Sequence, residues 1–334
     1  MEEYTSCHWL QHGLSFENDH IEMCCLCCHK GGGKLHIKEN YNGKGLDWDD
    51  IFALKDKYID DNKNGIIDPR CEGCFNLVHR YWQNDEEHFI NYIHFNHWTH
   101  CNCDCIYCYT SWDKVNFQKR PHYKVFPMIK ELFKRKLFRD GGEVTFAGGE
   151  PTILNEFEDL TNFLVKQKEV KRITVHSSGI KYSKAIENGI KAGKLSVCLS
   201  PDSGTRETYK KVKRVDKFNK VWENIAKYAS TKLVQEPQNP YYTKVETKFI
   251  LIPEVNTTKN EIDNWLELSI KAGIKSIVID VEDVYCKKIL AEDKEMPDYL
   301  VELSKYIVQR AKELNLNLVQ YNNFCYLTTK YCIE

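Results

Sequence analysis

The sequence lacks the features that mark membrane proteins, secreted proteins and general nucleic-acid binders. Its longest apolar runs, such as residues 277–279, fall far short of the roughly 20 residues that cross a bilayer. The acidic start of the chain lacks the basic and apolar segments of a signal peptide. Lysine and arginine number 47 against 48 aspartates and glutamates, so no net basic charge attracts nucleic acid or anionic lipid. We therefore expect a cytoplasmic protein with no membrane or nucleic-acid partner.

Cysteine is the residue in excess. The 334 residues include 15 cysteines, an odd number, in a sequence with no recognisable secretion signal. A chain of this length, with 42% hydrophobic residues, can build a sizeable core without disulfides. Because many of the cysteines stand in pairs with two residues between them, metal binding explains them better.

Two compositional regions divide the chain. Residues 1–90 contain seven cysteines and show little helical or strand periodicity, which predicts a small domain organised by metal. Over 91–285, strand and helix patterns alternate, which predicts a parallel α/β sheet, open or barrel-like. Residues 286–334 are predicted to pack a further helix and strand on it. The predicted strands cover residues 92–95, 143–146, 173–175, 195–199, 248–252, 276–281 and 317–320.

A cysteine-rich loop follows the first of these strands. Cys101, Cys105 and Cys108 have the spacing Cys-x3-Cys-x2-Cys, whereas Cys103 falls outside it and is predicted to be a bystander. Three thiolates in one short loop can hold three irons of a cubane and leave the fourth iron open, as a catalytic centre requires. Spacing alone leaves a second interpretation, in which the last two of these thiols are half of a zinc site.

A glycine-rich turn follows the second predicted strand and reads Gly-Gly-Glu-Pro. Gly148 and Gly149 let a ligand approach the backbone closely, and Glu150 offers a carboxylate to an amine. The combination of this turn with the cysteine loop, in this order along a parallel sheet, favours the iron–sulfur interpretation over zinc.

In these motifs the sequence resembles the radical S-adenosylmethionine (SAM) superfamily, over about residues 91–285. The resemblance implies a partial (β/α)6 barrel in which Cys101, Cys105 and Cys108 bind a [4Fe–4S] cluster, with SAM on the open iron. It places Tyr107 by the adenine, the Gly-Gly-Glu-Pro turn at the methionyl amino group and Ser200 at the ribose. The implied SAM contacts are Tyr107, Gly148, Gly149, Glu150, Pro151, Ser178, Ser200 and Asp202.

The chemistry of this superfamily is a one-electron reduction of SAM to methionine and a 5′-deoxyadenosyl radical, which abstracts a hydrogen from the substrate. The resemblance therefore implies an oxidoreductase or isomerase that receives electrons from a donor such as flavodoxin or ferredoxin.

The remaining cysteine pairs suggest a second metal centre within residues 1–90. Cys71 and Cys74 have two residues between them, as do two overlapping pairs within residues 24–28, and a four-thiolate zinc ribbon has this spacing. The segment from Cys7 to Cys24 also resembles the opening half of a SPASM-type auxiliary-cluster domain, although such domains usually follow the barrel. That resemblance implies a second [4Fe–4S] cluster on Cys7, Cys24 or Cys25, Cys71 and Cys74.

Three side chains on later strands are candidate catalytic groups. By strand alternation Cys198 points to the same side as Ser200, so it is either a small buried hydrophobe or a hydrogen-atom donor, as in peptide epimerases of this superfamily. Asp280 and Glu282 share a face of the sixth strand, where they either line the cavity as substrate ligands or bases, or are solvated. The basic run at residues 210–214 is expected to be a solvated helix edge or loop.

Modification of a peptide or protein side chain is the leading function, since SPASM-like clusters commonly accompany such reactions. No winged-helix module for leader peptides is evident in residues 1–90, which keeps a dehydrogenase or epimerase of a carbohydrate or other small molecule as the alternative. A zinc-stabilised binding module without enzymatic activity is the second class of function, but it gives the Gly-Gly-Glu-Pro turn no purpose.

Overall fold

The structure, a computed structural model, describes residues 2–24, 36–38, 41–74, 76–82, 88–108, 123–237, 239 and 242–333. These residues form two compact units. The first lies within residues 2–100 and 123–174, and the second within 101–108 and 175–333. Each unit is built on parallel strands with helices between them, which confirms the predicted α/β class.

A sheet organises the first unit. The strands of this unit are β1 (Glu2–Ser6), β2 (Gly13–Phe16), β3 (Ile21–Glu22), β4 (His36–Lys38), β5 (Val78–Trp82), β6 (Ile90–Phe95) and β7 (Phe138–Phe146). The strands β2, β6 and β7 are parallel, with β6 in the middle. The antiparallel strands β3 and β4 extend the sheet beyond β2, and β1 pairs separately with β5.

The cysteine-rich region has more regular structure than its sequence pattern indicated. It contains α1 (His8–His12) and the 16-residue α2 (Trp48–Lys63). The helix α2 begins at a capping box formed by Asp47 and Asp50, and buries Trp48, Ile51 and Phe52. In addition, β2 pairs with β6 along its whole length. Strand pairing therefore joins this region to the α/β strands, and the domain boundary at residue 90 stays a prediction.

Two helices follow strands of the sheet in the first unit, α3 (Phe126–Lys134) and α4 (Phe157–Lys166). Phe146 packs its ring against Phe95 at a centroid distance of 4.8 Å and against Phe157 at 5.1 Å. These aromatic contacts bury the ends of β6 and β7 side by side. The carboxyl ends of these two strands carry the turns that hold the site residues described below.

The second unit alternates strands and helices. The strand β8 (Val170–Ser177) leads into it, and β9 (Leu195–Leu199), β10 (Val245–Leu251), β11 (Ser276–Val281) and β12 (Asn317–Gln320) are parallel neighbours in that order. Every residue of β9 is buried, as in a strand covered on both faces. The helices of the second unit are α5 (Lys184–Lys191), α6 (Arg206–Lys213), α7 (Phe218–Ala229), α8 (Lys259–Lys271), α9 (Asp283–Ala291), α10 (Asp298–Glu313) and α11 (Asn322–Lys330).

The predicted strands of the α/β region all exist, and several are longer than the sequence pattern indicated, with β7 beginning at Phe138 rather than at residue 143. Of the helices in the second unit, α6, α9 and α11 were not predicted from the sequence pattern. Among the described helices, none combines the length and apolar character that a bilayer crossing requires.

Candidate functional site

The cysteine loop, residues 101–108, is held by α6 through the backbone. Asp104 N donates a hydrogen bond to Lys213 O at 3.1 Å, and Ile106 N donates to Val212 O at 3.0 Å. At the other end of the loop, Ser178 Oγ donates to Asn102 Oδ1 at 2.9 Å. The loop that carries the three predicted cluster ligands is thus fixed at several points to one unit.

A buried ion pair lies beside this loop. Lys213 and Asp202 are 2% and 0% exposed, and their charged groups form a salt bridge. Tyr107 OH donates to Asp202 Oδ2 at 2.5 Å, and Lys213 Nζ donates to Tyr107 OH at 2.9 Å. Burial by itself would lower the pKa of Lys213, but the negative charges of Asp202 and of its neighbours in the loop together outweigh burial and hold that pKa well above its ordinary value. The polar atoms of Tyr107 and Asp202, both predicted to contact SAM, therefore bind each other and Lys213.

The prediction of a solvated basic run is wrong for Lys213, which is buried, whereas Lys210 and Lys211 are exposed. The run lies on α6, and Lys213 is on the face of this helix that packs inward with Tyr209 and Val212. Helical periodicity separates the lysines of the run, because residues one or two positions apart point in different directions.

The thiols of the loop differ in their electrostatic surroundings. A hydrogen bond with Cys103 and the positive charge of Lys213 lower the pKa of the Cys105 thiol below its ordinary value, although burial acts in the opposite direction. Hydrogen bonds to Cys101 and Cys105 raise the pKa of Cys103, which is 7% exposed. Cys103 thus contacts two of the predicted ligands, and its role as a bystander to metal binding stays a prediction.

The donor chemistry of the loop fits an iron–sulfur cluster, since a thiolate is the form that binds iron. In the part of the chain that the structure describes, no three His, Cys, Asp or Glu side chains stand close enough together to hold a metal ion. The fit therefore rests on the thiol set and on the stabilised thiolate of Cys105, and no ligand geometry is assigned.

Backbone contacts in the first unit define the Gly-Gly-Glu-Pro turn. Gly149 N donates to Trp98 O at 2.5 Å, and Glu150 N donates to His100 O at 2.8 Å. A Cβ atom on Gly149 would overlap the carbonyl oxygen of His100 and lie 2.7 Å from the carbonyl carbon of Thr99. Gly148 has a φ of +86°, a left-handed conformation that favours glycine. The approach of two backbone segments therefore requires both glycines, whatever ligand they also receive.

Glu150 is 1% exposed, and its Oε1 accepts hydrogen bonds from Thr152 N at 3.1 Å and from Thr152 Oγ1 at 2.5 Å. These bonds cap the short turn Pro151–Ile153. The contact of Glu150 with a methionyl amino group stays a prediction, as do the SAM contacts of Ser178 and Ser200. The backbones at those two serines are adjacent, because Ser200 N donates to Ser177 O at 3.1 Å.

Sequence reasoning missed a polar network at the end of β2. Glu17, 6% exposed, accepts hydrogen bonds from Asn96 Nδ2 at 2.5 Å and from Ser15 Oγ at 2.7 Å. The other polar atom of that amide, Asn96 Oδ1, lies 2.8 Å from the position of a Cβ on Gly148. Glu17 therefore orients the side chain that supports the glycine turn. No sequence signal marks Glu17, because its position depends on the pairing of β2 with β6.

Cys198 is 1% exposed on β9, and burial raises the pKa of its thiol to about 12. It therefore keeps its S–H proton at neutral pH, which a hydrogen-atom donor needs and which a buried apolar residue also shows. The catalytic role of Cys198 stays a prediction.

The two other candidate catalytic groups cap helices. Asp280 Oδ1 accepts hydrogen bonds from Asn323 N at 3.1 Å and from Phe324 N at 3.3 Å, in the first turn of α11. Glu282 accepts hydrogen bonds from Val284 N at 3.0 Å and from Tyr285 N at 2.6 Å, in the first turn of α9. These contacts give both carboxylates a structural role, and the catalytic role of each stays a prediction.

The four thiols predicted to bind the second metal line one cavity of about 30 Å³ in the first unit. Cys7 caps α1, where its Sγ accepts a hydrogen bond from Leu10 N at 3.3 Å. Burial raises the pKa of the Cys7 thiol and raises that of Cys71 to about 12. Cys25 and the cysteines at 27 and 28 lie outside the described residues. The lining residues are Cys7, Trp9, Leu10, Met23, Cys24, Arg70, Cys71, Cys74, Asn76 and Leu77.

A buried lysine, also missed by sequence reasoning, lies next to this cavity. Lys55 of α2 is 1% exposed, and its Nζ donates to Gly13 O at 2.7 Å and to Leu10 O at 2.8 Å. Burial lowers the pKa of Lys55 to about 7, while the thiols of Cys7 and Cys24 act in the opposite direction. An ammonium group that donates to backbone carbonyls rather than to a carboxylate is stabilised by anionic neighbours.

Comparison with known proteins identifies the class of this domain. The sequence profile of the Radical SAM superfamily matches residues 95–234, so the chain contains a radical SAM superfamily domain. A GTP 3′,8-cyclase of Clostridium botulinum is 27% identical over 194 residues, which are 58% of this chain and 56% of that protein. The molybdenum cofactor biosynthesis protein moc-5 of Caenorhabditis elegans is 26% identical over 171 residues, 51% of this chain and 26% of that protein. The chain thus spans about half the length of the first of these relatives and a quarter of the second.

Among solved structures, SuiB of Streptococcus suis is similar in fold. It matches with a TM-score of 0.53 at 14% sequence identity, over 86% of this chain and 58% of SuiB. SuiB bound to S-adenosylmethionine and SuiB bound to its precursor peptide SuiA each match with a TM-score of 0.51. At this identity the similarity concerns the fold, a mixed α/β architecture with the parallel strands of the radical SAM partial barrel.

Proposed function

We propose that this protein is a radical SAM enzyme whose cluster ligands are Cys101, Cys105 and Cys108. The observation that carries the proposal is the loop itself: three thiols of the family spacing lie within a matched radical SAM domain, and Cys105 is stabilised as a thiolate. When bound, a [4Fe–4S] cluster with SAM on its open iron supplies a 5′-deoxyadenosyl radical that takes a hydrogen atom from the substrate.

The protein's own residues bind and orient the cofactors. We assign the Gly-Gly-Glu-Pro turn, whose backbone is fixed at Trp98 and His100, to the methionyl end of SAM. Ser178 and Ser200 follow the last residues of β8 and β9 and are assigned to the rest of that molecule, with the Ser178 hydroxyl also donating to Asn102 of the cysteine loop. Tyr107 and Asp202 also hold the cysteine loop, because their polar atoms are bound to each other and to Lys213. Their contacts with SAM stay a prediction.

A second metal centre on Cys7, Cys24, Cys71 and Cys74 belongs to the proposal. It is supported by the convergence of these four thiols, distant in sequence, on one cavity. The neighbouring ammonium of Lys55 favours an anionic, thiolate-ligated centre over four neutral thiols. Four thiolates are the ligand set of an auxiliary [4Fe–4S] cluster and of a structural zinc ion alike, and either metal would require these thiols to approach more closely than they do in the described residues.

For the substrate, we propose a peptide or protein side chain, modified in an oxidation, cross-linking or isomerisation reaction. The support is the fold similarity to SuiB, whose structure has been solved with its precursor peptide. The sequence similarity to GTP 3′,8-cyclases favours a second candidate, a nucleotide or other small molecule. A small reductant protein such as flavodoxin or ferredoxin would supply the electrons.

Metal content per chain tests the proposal directly. We would reconstitute the wild-type protein anaerobically, together with a variant in which Cys101, Cys105 and Cys108 are all changed to Ala. About eight irons falling to about four indicates two [4Fe–4S] clusters, and about four falling to none beside one retained zinc indicates a single cluster with structural zinc. Zinc without iron in the wild type would contradict the proposal that the protein is a radical SAM enzyme.

Formation of 5′-deoxyadenosine then distinguishes the two substrate classes. The reconstituted wild type is incubated with SAM, a reductant and either GTP or peptides encoded near its gene. Stimulation by a peptide, with the mass of that peptide changed, supports the first candidate. Stimulation by GTP with conversion of the nucleotide would replace it by the second.

A further inference from the structure

Lys213 touches the cluster loop at two places that flank Cys105. Its backbone oxygen accepts the hydrogen bond of Asp104 N at 3.1 Å, and its Nζ donates to Tyr107 OH at 2.9 Å. Asp104 precedes Cys105 and Tyr107 follows it within two residues. A single side chain and its own main chain therefore fix the loop on both sides of one proposed ligand.

Asp202 ties the same assembly to the sheet of the second unit. Its Oδ1 accepts a hydrogen bond from Ile250 N of β10 at 2.8 Å, while its Oδ2 binds Tyr107 and Lys213. Its backbone oxygen accepts a hydrogen bond from Asn256 Nδ2 at 3.0 Å, and its φ of +52° places its backbone in the left-handed region, which few residue types other than glycine, asparagine and aspartate adopt. The loop is thereby connected through a buried charged pair to a central strand.

Burying two charges is expensive, and an apolar pair of similar size would stabilise the fold as well or better. The position of the pair next to a thiolate-rich loop supplies a reason for it. A cluster with three thiolate ligands carries negative charge, which increases when the cluster is reduced. A fixed cation nearby favours the reduced form, and the buried carboxylate beside it moderates that effect.

We propose that Lys213 is a positioning residue for the cluster, which holds the cysteine loop on both sides of Cys105 and sets the reduction potential through its fixed charge. Asp202 is its partner and opposes its charge. This inference rests on the proposed cluster at Cys101, Cys105 and Cys108.

The test compares charge variants of the reconstituted full-length protein. Midpoint potentials are measured by an EPR-monitored redox titration of the signal that changes when SAM is added, and iron loss to a chelator is timed. Lys213→Met removes the cation and lowers the potential, whereas Asp202→Asn leaves the cation uncompensated and raises it. We expect at least a tenfold change in the one-electron equilibrium in each case, equivalent to about 59 mV. Both variants lose iron several-fold faster than the wild type.

Two further variants keep the test decisive. Lys211→Met, on the exposed face of the same helix, leaves the potential and the rate of iron loss unchanged. Tyr107→Phe removes the two hydrogen bonds of the hydroxyl, to Asp202 and from Lys213, without a change of charge. It therefore speeds iron loss but leaves the potential near that of the wild type, and it serves if Lys213→Met does not fold. Unchanged potentials in both charge variants, or shifts of the same sign, would overturn the inference. A wild type without iron would overturn the proposed function together with it.

Discussion

The buried lysine beside the N-terminal thiols makes the stability of the metal-free protein depend on pH. Lys55 is 1% exposed, and burial lowers its pKa from the ordinary 10.5 to about 7. At pH values between about 7 and 10.5, Lys55 is protonated in the unfolded chain but deprotonated in the folded protein. Because the unfolded state binds more protons there, stability rises with pH. At pH 7 the folded lysine is half-titrated, so raising the pH to 8.5 adds roughly 1.5 kcal/mol to the free energy of unfolding.

Urea unfolding of the reduced, metal-free protein at pH 7.0 and pH 8.5 measures this gain. The upper limit stays at 8.5 because the thiols of Cys7 and Cys71, whose pKa values are raised by burial, contribute in the opposite direction at higher pH. Lys55→Met removes the titrating group, so its gain is smaller than that of the wild type by roughly 1.5 kcal/mol. Lys57→Met, exposed on the same helix, is the matched control and keeps the full gain.

The metal-loaded protein sharpens the test. Thiolate ligands raise the pKa of Lys55, so the gain between pH 7.0 and 8.5 shrinks when metal is bound. An identical pH dependence in wild type and Lys55→Met would show that Lys55 stays charged throughout this range, and the reasoning from its burial would be wrong.

Two further substitutions test single contacts of the site. Gly149→Ala places a methyl group against the carbonyl of His100, so we expect the free energy of unfolding to fall by about 1–3 kcal/mol. We also expect weaker SAM binding, measured by equilibrium dialysis. An unchanged free energy of unfolding would contradict the close approach of the two segments. Glu282→Ala removes the cap of α9, so we expect a loss of about 1 kcal/mol in urea unfolding and continued 5′-deoxyadenosine formation. Loss of that activity at unchanged stability would instead support the predicted catalytic role of Glu282.

Local patterns in the sequence were sufficient to predict the α/β class and to find the cysteine loop. Strand and helix periods repeat over short windows, so β9 and β11 have the bounds that their apolar runs predict. The spacing of Cys101, Cys105 and Cys108 and the Gly-Gly-Glu-Pro turn are local as well, and the matched superfamily profile covers both motifs. Motifs of this kind lie within a few residues of one another, so no knowledge of the fold is needed to find them.

The partners of the charged residues depended on contacts between distant parts of the chain. Lys213 looks like its neighbours in a basic run, and only the packing of α6 buries it against Asp202. Asp280 and the first turn of α11 are more than 40 residues apart, as are Lys55 and the backbone carbonyls of Leu10 and Gly13. A charged side chain is stable in the interior only where such a partner meets it. Such contacts between distant residues form only when the chain packs, so the order of residues along a single helix or strand does not reveal them.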